Sequence, residues 1–169
     1  MRRTLAIGML AAVSLAPMGI SPAQAQDREH HRVRLPLTAL ALSDLSFGTV
    51  LPGIPTSVSV LDVHQAGLFE IQGPSDASVR VDFLLPTALT SEEGATLPIA
   101  FGHSDGYADF SHGHPRRSRT FDPHRPVIGT LGPNGHLFVW LGGTVQPDRA
   151  QARGRYRATI ALTVYNLGS

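Results

Sequence analysis

Beyond residue 35 the chain breaks into short runs of Val, Ile, Leu, Phe and Thr separated by Gly, Pro, Asn, Asp and Ser. That is the punctuation of strands joined by turns. The plainest run is Tyr156 to Tyr165, where Tyr156, Ala158, Ile160, Leu162 and Val164 fall on one face and Arg155, Arg157, Thr159, Ala161 and Thr163 on the other. A period of two with one apolar face predicts a half-buried strand. Ser78 to Leu85 sets Val79, Val81, Phe83 and Leu85 against Arg80 and Asp82, and Ser57 to Val63 places Val58, Val60 and Asp62 on one side. Further strands are predicted at Leu37–Leu42, Phe69–Gln72 and Leu97–Phe101. No segment after residue 25 holds a helical stripe for long.

Gly132-Pro133-Asn134-Gly135 separates Val127–Leu131 from His136–Leu141, and Asn-Gly supplies the positive φ angles of tight reverse turns, so a hairpin is expected there. About eight strands at this spacing, with no room for helical crossovers, predict an all-β fold. The default is a single immunoglobulin-like or pilin-like antiparallel β-sandwich over residues 35–169, with a small barrel as the alternative. One stretch breaks the pattern. Gly102 to Pro126 carries His103, His112, His114 and His124 with four Arg, and reads as a long polar loop.

The chain opens with three zones of an export signal: Arg2-Arg3, an apolar run from Thr4 to Ile20, and Ala23-Gln24-Ala25 as a small-x-small cleavage site. Residues 1–25 are therefore expected to be removed. Gly8, Ser14, Pro17 and Gly19 interrupt the apolar run and no stop-transfer charges follow it, which disfavours a retained membrane helix. No transmembrane segment is expected after cleavage. Residues 26–34, with His30-His31 and three Arg, read as a flexible polar arm. Removing 25 residues from 169 leaves 144, enough for one domain with its own core. The expected address is exported: periplasm, cell surface or extracellular.

Charge narrows the partners. Two of the 14 basic residues and none of the 13 acidic ones lie in the signal, leaving 12 basic against 13 acidic. Long-range attraction to nucleic acid or anionic lipid is not expected from that balance. Every basic residue is Arg, and Cys is absent, so stability rests on packing and strand pairing, and thiol catalysis and thiolate metal sites are excluded.

The most chemical feature is His112-Gly113-His114, flanked by His103, Asp105, Asp109 and His124. Residues two apart in an extended segment point the same way, so His112 and His114, with His103, could hold Zn²⁺ or Cu²⁺. Against this, a metal needs three or four fixed ligands, and Arg116-Arg117 repel a cation, so a solvated loop is the competing reading. Arg116, Arg117 and Arg119 present forks that match a phosphate, an acidic glycan or lipopolysaccharide, or else serve only to solvate the loop. No Gly-x-Ser-x-Gly elbow, His-Glu-x-x-His helix, phosphate loop, dinucleotide fingerprint or EF-hand loop occurs. Asp62 with His64, and Glu92-Glu93, read as surface pairs. No catalytic residue and no cofactor are expected.

An ordered set of short signatures gives a second line of inference. They are Leu45-Ser46-Phe47-Gly48-Thr49-Val50, Phe69-Glu70-Ile71-Gln72-Gly73, Leu85-Pro86, Leu141-Gly142-Gly143-Thr144-Val145, and Gly154-Arg155-Tyr156 running through Thr163-Val164-Tyr165-Asn166. In order and spacing, over roughly residues 35 to 167, this set resembles the secreted bacterial family known as domain of unknown function 4402. The resemblance implies a β-sandwich related in pattern to spore coat protein U-like domains and, more distantly, to pilus subunits, and it implies no catalytic residues. The His- and Arg-rich middle and Trp140 depart from the family's pattern. The same motifs have local physical roles: Gly142-Gly143 would let the backbone turn or approach another strand closely, and Tyr156 and Tyr165 combine apolar bodies with hydroxyls able to reach the sandwich edges.

The function expected from these features is that of a non-enzymatic structural or adhesive domain of the bacterial envelope or surface, with a fimbria-like subunit as one form. Its partner would be a second copy or an envelope protein joined through a sheet edge. Leu35, Leu37, Ala39 and Ala41 alternate behind the arm, as a donated strand would; the other reading makes them the domain's own first strand. The alternative function is a periplasmic ligand- or metal-binding protein that uses the His/Arg-rich loop.

Overall fold

A computed structural model describes residues 36–109 and 120–168. The signal at 1–25 and the arm at 26–34 lie outside the described residues. In chain order the strands are β1 (Thr38–Ser43), β2 (Thr56–Val58), β3 (Gly67–Gln72), β4 (Ser78–Leu84), β5 (Ala88–Ser91), β6 (Thr96–Ala100) and β7 (Gly106–Asp109). There follow β8 (Thr120–Phe121), β9 (Val127–Thr130), β10 (His136–Leu141), β11 (Gly143–Val145), β12 (Tyr156–Arg157) and β13 (Ala161–Gly168). The protein is all-β over the described residues, and every strand pair is antiparallel. No helix among them is long and apolar enough to cross a membrane.

Three sheets form, in the strand orders β1-β3-β10-β7-β8, β12-β5-β6-β11-β2 and β13-β4-β9. The first supplies the central layer because β10 is apolar on both faces. Its Leu137 and Val139 join Ile71 of β3 and Val79 and Val81 of β4 in one buried cluster, which joins the first sheet to the third. From the opposite face, Trp140 sits between its ladder partners Leu68 and Tyr107 and packs with Val58, Val60 and Ala66. Tyr107 and Trp140 hold their ring centroids 5.4 Å apart. The third cluster, Leu97, Ile99, Phe101 and Val145, belongs to the second sheet. Burying side chains of this size contributes about 1.5–3 kcal/mol each relative to exposure.

The predicted alternation survives in β4, where Val79 and Val81 are buried and Arg80 is exposed. Gly142 also acts as its sequence context implies. A Cβ there would strike the Val58 carbonyl oxygen, so only glycine lets the chain leave β10 in the first sheet and enter β11 in the second.

Three expectations change. Val127–Leu131 and His136–Leu141 do not form a hairpin: β9 pairs with β4, and β10 with β3 and β7. The turn between them closes through Gly132 N–H to His136 O at 2.8 Å and Gly135 N–H to Gly132 O at 2.8 Å, but it carries the chain from one sheet to another, because Leu131 and Leu137 both enter the core between those sheets. The run Tyr156–Tyr165 is not one strand. Tyr156, Ile160, Leu162 and Val164 are half-buried but Ala158 among them is exposed; β12 pairs with β5 and β13 with β4, so the backbone changes sheets at residues 158–160. Finally, the Gly102–Pro126 stretch contains ordered strand at both ends: β7 and β8 pair through Gly106 with Phe121 and Tyr107 with Thr120.

Candidate functional site

Of the residues predicted to bind metal or anions, His112, His114, Arg116, Arg117 and Arg119 lie outside the described residues. His103 is described, and it turns its Nδ1 toward Asp122 Oδ2 at 2.7 Å. The other oxygen, Oδ1, accepts from the backbone N–H of His124 at 3.0 Å and lies 3.1 Å from His124 Nδ1, while Arg125 Nε stands 3.6 Å from Oδ2. These partners hold the Asp122 carboxyl down at about 2, the hydrogen bond from His103 contributing most and the His124 backbone N–H next. The arrangement is a carboxylate hub between two exposed imidazoles, which ties the ends of the β7–β8 region together. Among the described residues, no group of three or more His, Asp or Glu is placed to hold a metal ion. Asp62 and His64 sit exposed in the turn after β2, joined by the His64 backbone N–H to Asp62 Oδ1 at 3.2 Å. Glu92 and Glu93 are exposed in the β5–β6 turn.

The surface features that do stand out are strand edges. β1 is an end strand of its sheet and pairs with β3 from Thr38↔Gln72 to Ala41↔Phe69, with a register shift before Ser43. It forms because Ala and Leu alternate after Pro36, and Leu37 anchors it by packing into the Ile71 cluster. Beyond Leu37 the anchorage fades: all six residues of β1 are exposed, Leu40 and Leu42 at 48% and 47%. β13 is likewise an end strand, paired to β4 from Ala161↔Leu84 to Asn166↔Val79. Its Leu162 and Val164 turn inward while Tyr165 stays half exposed beneath the Arg80 guanidinium, 5.9 Å from its ring. Asp82 braces that guanidinium with two bonds of 2.9 and 3.0 Å, which raises the Arg80 pKa further. β1 and β13 approach each other, so the two sheet edges lie on the same side. Neither strand contains a charged residue or a proline.

Near the ends of these strands the surface is cut by two adjoining clefts, of about 690 and 580 Å³. The first is walled by the Leu45–Pro52 segment and by Gln151–Arg157, with Leu89, Leu97 and Val145 among the side chains between them. The second shares Leu45, Phe47, Leu89 and Tyr156 with the first and runs on to Ala41 of β1, Phe69 and Ile160. Two clamps fix the walls. Gly53 N–H donates to Asp148 O at 2.9 Å, and the Tyr156 hydroxyl donates to Ala152 O at 2.7 Å while accepting from Gln151 Nε2 at 2.7 Å. Arg153, Arg155 and Arg157 stand exposed along the first cleft.

No protein-family model matches this chain, and no curated protein matches it. Sequence patterning had placed Arg155 and Arg157 on the outer face of a strand; the wall facing them, Leu45–Pro52, is about a hundred residues away in the chain, and no local signal joins the two.

Proposed function

We propose that this protein is a non-enzymatic, exported structural or adhesive domain of the bacterial envelope or surface, built as a pilin-like β-sandwich of the domain of unknown function 4402 kind, which associates by adding a strand at a sheet edge. The observation that carries the reading is the side formed by β1 and β13, two end strands without charge or proline. Edge strands offer a row of unpaired N–H and C=O groups, and monomeric proteins blunt them with charge, proline or short length. β1 runs six residues and β13 eight with none of these charges or prolines, and β1 adds Leu40 and Leu42 half in solvent. An extended segment of a second copy or an envelope protein would gain main-chain hydrogen bonds and cover those leucines together.

The test is a Leu40→Lys/Leu42→Lys double variant compared with the wild type by sedimentation velocity across a wide concentration range. Both side chains are already half exposed, so folding should be retained and the melting temperature should move by only a few degrees. Concentration-dependent association in the wild type and its loss in the variant are expected. A wild type that stays monomeric throughout, or a variant that associates equally well, would show that the edge is not the joining surface.

A further inference from the structure

The near-balance of charge over the chain conceals a local excess of cations. Arg149, Arg153, Arg155 and Arg157 fall within nine residues, and all four are exposed. None of them forms an ion pair among the described residues. Glu92 and Glu93 share a small recess of about 110 Å³ with Arg153 and Arg155 but bond to neither, and Asp44 lines the second cleft together with Arg157. Arg157 faces both large clefts.

The surface beside Arg153, Arg155 and Arg157 is mixed, more apolar than polar, and its apolar side chains are mainly aliphatic. Leu45, Val50, Leu89, Leu97 and Val145 line the first cleft, and Ile99 and Ile160 continue the surface into the second. The aromatic members are Phe47 and Tyr156 in both clefts and Phe69 in the second, and the Tyr156 hydroxyl is already engaged by Ala152 and Gln151. A sugar or nucleotide site would want aromatic platforms and free polar groups at its base. An aliphatic trough with guanidinium forks at its lip instead matches a long hydrocarbon chain ending in an oxyanion.

We infer that the paired clefts bind a single long-chain acyl anion, its hydrocarbon in the trough lined by Leu45, Phe47, Leu89 and Tyr156 and its carboxylate at Arg155 and Arg157. The dimensions allow it. The two clefts, about 690 and 580 Å³, lie in the range of small-molecule sites, roughly 300–1,000 Å³. The charge complementarity is local, so it operates at contact and weakens as salt screens the exposed guanidinium groups. The second cleft borders the pairing edge, since Ala41 and Ser43 of β1 are among its lining residues.

The test uses dodecanoate as the probe, below its micelle concentration, with dodecanol as the neutral analogue of the same tail and acetate as the head without the tail. Trp140, the sole tryptophan, is buried, so a Leu51→Trp change at a 57% exposed position of the cleft rim provides a local fluorescence reporter, and calorimetry on the unlabelled protein gives stoichiometry. One dodecanoate per chain is expected, with dodecanol at least ten-fold weaker and acetate without effect. Arg155→Glu/Arg157→Glu, both at exposed positions, should weaken dodecanoate at least ten-fold while leaving dodecanol binding and the thermal melt in place. Equal affinity for dodecanoate and dodecanol, the absence of saturable binding, or full dodecanoate affinity in the double variant would overturn the assignment. Loss of self-association in that variant with dodecanoate binding unmoved would give the cleft to a second copy and overturn it equally.

Discussion

Gly135 offers the sharpest test of how the core is closed. Its φ is +74°, and an added Cβ would collide with the carbonyl oxygen of Gly73. The backbone there is also bonded, Gly73 N–H donating to Gly135 O at 2.9 Å. Gly135→Ala therefore carries two costs. The left-handed conformation costs an L-residue roughly 1–2 kcal/mol. Relieving the collision separates the Gly73–Gly135 pair, which costs a further 0.5–1.5 kcal/mol or so for the hydrogen bond alone. Gly94 isolates the first cost, because its φ is +84° and nothing lies within 4 Å of the Cβ position. Gly94→Ala should lose about 1–2 kcal/mol and Gly135→Ala about 3 kcal/mol, a large fraction of the 5–15 kcal/mol or so that stabilises a typical domain. At about 3 °C per kcal/mol for a domain of this size, the second variant should melt roughly 10 °C below the wild type. Urea denaturation of the three proteins gives the free energies directly, with the slope unchanged. Equal losses at the two glycines would refute the claim that the turn is pinned against Gly73.

Two further outcomes follow from the side-chain geometry. Because the Asp122 carboxyl lies below its ordinary value, at about 2 against 3.8, its contribution to stability is present above pH 4 or so and is lost as pH falls toward 2; Asp122→Asn should melt below the wild type at pH 6 and converge with it near pH 2, and a constant gap would contradict the His103–Asp122 pairing. Tyr156→Phe removes the hydroxyl that joins Gln151 to Ala152, at about 1–2 kcal/mol for two hydrogen bonds. Limited trypsin digestion should then cut after Arg153 and Arg155 faster than in the wild type, and unchanged cleavage rates would show that the clamp does not order the cleft wall.

The legible part of the fold was local. In β4, alternating Val79 and Val81 with Arg80 specifies both a strand and its buried face, because a period of two needs no knowledge of partners. Sheet membership was not legible. Tyr156, Ile160, Leu162 and Val164 are half-buried with exposed Ala158 among them, and nothing in the sequence alternation records that the backbone leaves β5 for β4 on the way. Gly132–Gly135 shows the same limit: the turn chemistry was readable, but the pairing of its flanks depended on Leu131 and Leu137 filling the space between two sheets. The clefts were hidden for the same physical reason, since their walls at 45–52 and 151–157 meet only through tertiary contacts such as Gly53 N–H to Asp148 O. His103 was readable as a polar, exposed side chain, whereas its carboxylate partner, 19 residues away, was not.

The edge and the cleft are neighbours, and that makes their energetics inseparable in principle. The second cleft is walled by Ala41 and Ser43 of β1 and by Ala158–Ile160, the residues that lead into β13. A strand added at β1 would pack beside Ala41 and Ser43, and an acyl chain in the second cleft would lie against the same residues. If each event orders the same backbone, the second to occur pays less conformational entropy, and the two favour one another. If the added strand instead covers the cleft mouth, they compete. Reciprocity fixes the arithmetic in either case: the factor by which dodecanoate changes the self-association constant must equal the factor by which self-association changes dodecanoate affinity. Titrating dodecanoate at protein concentrations below and above the association midpoint measures one factor, and sedimentation with and without saturating dodecanoate measures the other. A factor of one in both would mean that the edge and the cleft are occupied independently.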